Sequence, residues 1–69
     1  MMKVGDMKVG DMIFVRDSEC VSPTIPVIII DIYKVENSWY PYFVVLVPNT
    51  GEKFTYQEHN LSEYPGIPL

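Results

Sequence analysis

Apolar residues along this chain recur at the two-residue period of β-strands, and no stretch of about ten residues places them at helical spacing. After the turn signal Gly10-Asp11, the short β-prone run Met12 to Arg16 predicts a first strand. Asp17 to Thr24 is polar and contains Pro23, and Pro26 follows, so the chain is expected to loop here for longer than a hairpin turn. The isoleucine- and valine-rich segment beyond it predicts a second strand over Val27 to Val35. Glu36-Asn37-Ser38 then forms a three-residue connection to a third strand, Trp39 to Val47, with Pro41 marking an edge or bulge near its start. Pro48-Asn49-Thr50-Gly51 predicts a hairpin closure with Gly51 left-handed, and Lys53 to Gln57 alternates as a fourth strand. Glu58 to Tyr64, anchored by Leu61 alone, suits one tight helical turn. Four strands joined by tight connections point to a strongly bent meander or small barrel.

Face assignments follow from the alternation. In the third strand Trp39, Phe43, Val45 and Val47 share one face, and Tyr40, Tyr42, Val44 and Leu46 the other. In the second, Ile28, Ile30 and Ile32 form the face expected to be buried first, with Val27 and Ile29 opposite. Both faces are apolar in both strands. A second covering layer is therefore expected, from the first loop, the N-terminal residues or another copy of the chain.

Met2-Lys3-Val4-Gly5-Asp6 is repeated at once as Met7-Lys8-Val9-Gly10-Asp11. Five residues are too few for a structural repeat, and only the second copy leads directly into the first strand. The chain thus divides into an N-terminal extension, 1–6, a barrel, 7–64, and a Pro-rich tail, 65–69, which cannot be helical.

With 69 residues, 48% hydrophobic and 20% charged, the chain has the composition of a single packed domain. Nine acidic against five basic residues leave a net charge of −4, and the five cations are scattered singly, so nucleic acid and anionic membranes are disfavoured as partners. The longest apolar run, Ile25 to Ile30, is far shorter than a membrane helix, and the opening residues carry no signal-peptide pattern. The expectation is a soluble, cytoplasmic protein. Cys20 is the only cysteine, which excludes an intramolecular disulfide and a multi-cysteine zinc site.

Lys8-Val9-Gly10-Asp11-Met12-Ile13-Phe14-Val15, the long first loop, the hairpin through Asn49-Thr50-Gly51-Glu52 and the closing turn ending at Leu61 resemble SH3-like small barrels. More narrowly they resemble short proteins encoded by tailed phages, including marine ones, which would place the protein in a host cytoplasm. The resemblance implies an all-β, SH3-like small barrel of four to five antiparallel strands with one short helical turn near residues 58–64. It implies no catalytic residues. KOW-type barrels, which contact RNA or ribosomal partners, carry a glycine just ahead of the second strand and a basic surface; here Ile25-Pro26 and an acidic chain stand instead.

Candidate chemistry is sparse. Cys20 and His59 lack a third orienting group for nucleophilic catalysis, and Asp11, Asp17, Glu19 and Asp31, which have no cation-loop spacing, are accounted for by solvation and turn formation. The four glycines are isolated, so there is no phosphate-cradling loop. No enzyme, metal or cofactor is expected. Two Pro-x-x-Pro segments, Pro23 to Pro26 and Pro65 to Pro68, suit extended conformations, and the second is a candidate to pack on the aromatic surface of a neighbouring copy.

The aromatic residues are the informative group, at 13% of a very short chain. A barrel of this size cannot enclose them all. Tyrosine and tryptophan concentrate at protein interfaces, so the expected function is a non-enzymatic interaction module that binds a protein or peptide, including its own copies. Tyr33, Trp39, Tyr40, Tyr42 and Tyr56 are its candidate contact surface. The alternative is a nucleic-acid- or ribosome-associated KOW-like barrel.

Overall fold

The computed structural model describes residues 7–16 and 18–64; the proposed extension, 1–6, and tail, 65–69, lie outside them. Five antiparallel strands form one sheet: β1 (Met12–Val15), β2 (Pro26–Tyr33), β3 (Tyr42–Leu46), β4 (Lys53–Gln57) and β5 (Leu61–Ser62). Their order across the sheet is β4-β3-β2-β1-β5, so every sequential pair up to β4 is a neighbour and β5 returns to the far side of β1. A single 3₁₀ turn, Glu58–Asn60, connects β4 to β5. This is the expected all-β arrangement of antiparallel strands, consistent with a small barrel-like fold, with the predicted helical turn compressed to three residues and followed by a fifth strand. Two residues suffice for β5 because Leu61 is buried opposite Val15, and the Arg16 N–H donates to the Asn60 carbonyl at 2.6 Å, extending the pairing.

The core is aliphatic. Ile13 and Val15 of β1, Val27 and Ile29 of β2, Val45 of β3 and Leu61 of β5 are all essentially inaccessible, with Phe43 beside them. Each such side chain contributes roughly 1.5–3 kcal/mol of transfer free energy. Among the described residues no polar side chain is buried, so packing meets no desolvation penalty here.

Over the first half of β2 the expected faces are reversed, with Val27 and Ile29 buried and Ile28 half-buried, whereas over the second half Ile32 lies inward as expected. A β-bulge separates the two halves. Ile29 pairs with Val45 and Asp31 with Val44, so Ile30 is an extra residue with no cross-strand partner. Before the bulge the odd residues point inward; after it the even ones do, and Ile32 packs against the core opposite Phe43. The bulge thereby turns Asp31 out to solvent, where uninterrupted alternation would have set it in line with Val27 and Ile29.

The third strand is shorter than expected, and the connection before it is longer, spanning residues 34–41. Pro41 cannot donate a ladder hydrogen bond and restricts Tyr40 before it. Ser38 also competes for the local backbone: its hydroxyl donates to the Tyr40 carbonyl at 2.8 Å and accepts from the Tyr40 N–H at 3.3 Å. Trp39 and Tyr40 therefore stand in a loop and not on a strand face.

Part of the anticipated covering layer comes from the chain itself. Met7, just before β1, and Val21, in the β1–β2 loop, are buried against the core. Ser18 shapes that loop by accepting N–H bonds from Cys20 and Val21 at 3.0 and 3.2 Å. These segments close the inner face only.

The β3–β4 hairpin closes as expected, with the Gly51 N–H donating to the Val47 carbonyl at 2.8 Å and Gly51 left-handed at φ 75°. A Cβ at Gly51 would meet nothing within 4 Å, so substitution is penalised by backbone strain alone. Gly51→Ala is expected to cost about 1 kcal/mol, read as a lower urea midpoint with unchanged slope. An unshifted midpoint would contradict the left-handed turn.

Candidate aromatic docking surface

The outer face of the sheet continues the apolar character of the inner one. Along β3, Tyr42, Val44 and Leu46 alternate outward from buried Phe43 and Val45. Across from them, Ile28 pairs with both Leu46 and Met12, and Phe14 pairs with Pro26. Met12 is 60% exposed, and the aliphatic side chains around it are half-buried. Among the described residues, Met12 and Tyr33 are the large apolar side chains of the strands that stand exposed.

One end of this face is aromatic. Tyr33 and Tyr42 are directly opposite in the β2–β3 register and stack with ring centroids 5.6 Å apart at 26°. The loop joining their strands carries Val35, Trp39 and Tyr40, all exposed, with Trp39 at 89%. A shallow open depression of about 310 Å³ is lined by Glu36, Asn37, Ser38 and Trp39. The loop is not loosely held: besides the two Ser38 hydroxyl bonds, the Ser38 N–H donates to the Val35 carbonyl at 2.9 Å. Trp39 is thus displayed from an internally hydrogen-bonded turn.

Four of the five expected contact residues, Tyr33, Trp39, Tyr40 and Tyr42, gather at this end of the sheet. Tyr56 does not. It pairs with inward-facing Phe43, packs against the core edge beside Phe54, and its hydroxyl shares a 2.9 Å hydrogen bond with Ser18 of the β1–β2 loop. Its role here is to tie β4 to that loop across the opposite side of the sheet. Met12 and Val35, which the sequence did not single out, are exposed members of the apolar surface. Met12 was legible in principle, since it precedes Ile13 and so faces away from the core.

The other candidate residues are exposed in loops and turns or make local backbone contacts. Cys20 is exposed in the β1–β2 loop and His59 is exposed in the 3₁₀ turn. Asp11 accepts the Lys8 N–H at 3.0 Å and Asp31 that of Ile32 at 2.9 Å, each a local backbone role. Glu19 is exposed, and Asp17 lies outside the described residues. Among the described residues no group of three His, Cys, Asp or Glu side chains is placed to hold a metal ion. Lys53 lies on β4, and Lys8, Arg16 and Lys34 lie in three different connecting segments. No helix among the described residues is long and apolar enough to cross a membrane.

No known family model matches this sequence, and no curated protein or solved structure is significantly similar to it. The surface must therefore be read from its own chemistry.

Proposed function

We propose that this chain is a non-enzymatic interaction module that associates with protein, including its own copies, through the apolar outer face and its aromatic end. The observation that carries this reading is Trp39, 89% exposed on a hydrogen-bonded turn beside Tyr40 and the stacked Tyr33–Tyr42 pair. Met12, Tyr33, Val35, Trp39 and Tyr40 are all exposed, and large apolar side chains presented together to water on small proteins mark contact surfaces. Trp and Tyr supply large buried area at low conformational cost, and a turn that already fixes them reduces the ordering penalty of association.

Trp39 is the only tryptophan, so its emission reports on this surface alone. As protein concentration is raised through the micromolar range, its emission is expected to shift to the blue as water leaves the indole, in step with a rise in sedimentation-derived mass. Emission and mass that both stay constant would oppose the reading.

A further inference from the structure

We propose that the partner on the outer face is a second copy of this chain, packed face to face about a two-fold axis that runs along β3, with Asp31 of each copy beside the partner's Lys53. This rests on the reading above and adds to it the occupant and the geometry.

Charge on this face differs from charge on the rest of the molecule. The chain carries nine acidic and five basic residues, yet the outward positions between the strand ends hold one of each, Asp31 on β2 and Lys53 on β4. Both are exposed. The net −4 therefore resides elsewhere, and this is the side on which two like-charged copies approach without repulsion. The outward turn of Asp31 is itself a product of the Ile30 bulge.

The positions of the two charges are self-complementary. Asp31 is across from Val44, and Lys53 is across from Leu46, on the other side of the same strand. A two-fold axis along β3 exchanges the two flanks. It brings Val44 and Leu46 against the same residues of the second copy and sets Asp31 one outward position, about 7 Å along the strand, from the partner's Lys53. The four-carbon lysine stem spans that gap. Both ion pairs form at once, because a two-fold interface repeats every contact.

The size of the face fits a weak dimer. It is roughly 20 Å along the strands and 14 Å across β1 to β4, on the order of 300 Å² per copy in projection. The same axis brings the two Trp39–Tyr40 loops together at one end and adds to this area, which places the interface at the small end of the size range, where weak and transient complexes lie. A micromolar, concentration-dependent dimer is the expected result.

Charge reversal tests the geometry with the full chain, by sedimentation velocity, with circular dichroism confirming the fold of each variant. Asp31→Lys alone or Lys53→Glu alone sets like charges together and is expected to raise the dimer dissociation constant about tenfold. The double variant Asp31→Lys/Lys53→Glu is expected to return to within about threefold of the original value. An equimolar mixture of the two single variants is expected to form a heterodimer of near-original affinity, since each then offers the other complementary charges. Self-association that persists but ignores these reversals, and is lost on Trp39→Ser/Tyr40→Ser, would overturn the sheet-face dimer while leaving the interaction module intact. A folded chain that stays monomeric throughout would overturn both.

Discussion

Ile29→Ala is expected to remove most of the stability of this domain, about 3 kcal/mol, whereas Ile28→Ala, one residue earlier, is expected to cost about 1 kcal/mol or less. Ile29 is fully buried between β1 and β3, opposite Val45, and truncation leaves a cavity that a core of small aliphatic side chains has little freedom to refill. Ile28 is half-buried on the outer face and leaves no enclosed cavity. A domain of this length has on the order of 5 kcal/mol in total, so the first substitution moves the urea midpoint below half its original value. The comparison belongs at protein concentrations low enough that association adds nothing to stability. Equal costs, or a larger cost for Ile28, would contradict the inward assignment of Val27 and Ile29.

Trp39→Ser/Tyr40→Ser is expected to have the opposite profile: unfolding free energy within about 0.5 kcal/mol of the original, and self-association weakened ten- to a hundredfold. Neither side chain packs on the core, and the hydrogen bonds that shape the turn come from Ser38 and the backbone, which the variant retains. The folded state therefore loses little. A docked complex would lose two aromatic anchors at one end of its interface, together about 1.4–2.8 kcal/mol for a ten- to hundredfold loss. Denaturation by urea and sedimentation at matched concentrations separate the two effects. A destabilised monomer would mean that the loop is structural, and unchanged association would remove it from the contact surface.

Much of the architecture was readable from the chain because β-branched and aromatic residues cluster in strand-length runs between turn formers. The Asn49-Thr50-Gly51 hairpin was legible for a specific reason: only a left-handed residue closes that turn, and Gly51 has φ 75°. The faces of β2 were not. Ile28, Ile29 and Ile30 are consecutive and apolar, so the pattern carries no parity through the position where the bulge resets it. The start of β3 was misread because Trp39 and Tyr40 favour strands by composition, while the Ser38 hydroxyl and Pro41 together divert the backbone into a loop. A fifth strand was within the expectation, but β5 could not be located because two residues give no alternation, and only the pairing of Leu61 with Val15 reveals it as a strand.

The same logic divides the candidate surface. The excess of aromatic residues was visible in the composition, and Tyr33, Trp39, Tyr40 and Tyr42 do occupy one end of the sheet. Tyr56 was separated from them by register alone, since it pairs with inward Phe43 while Gln57 pairs with outward Tyr42. That distinction depends on where β3 and β4 begin to pair, which composition does not encode.

The proposed association requires this small sheet to have more apolar surface than one chain covers. Sedimentation equilibrium of the intact protein, run from about 1 µM to several hundred micromolar, tests that most directly. The expected result is a weight-average mass that climbs from 8.0 kDa toward twice that value as concentration rises. A mass that holds at the single-chain value over the whole range, with the fold intact, would contradict it.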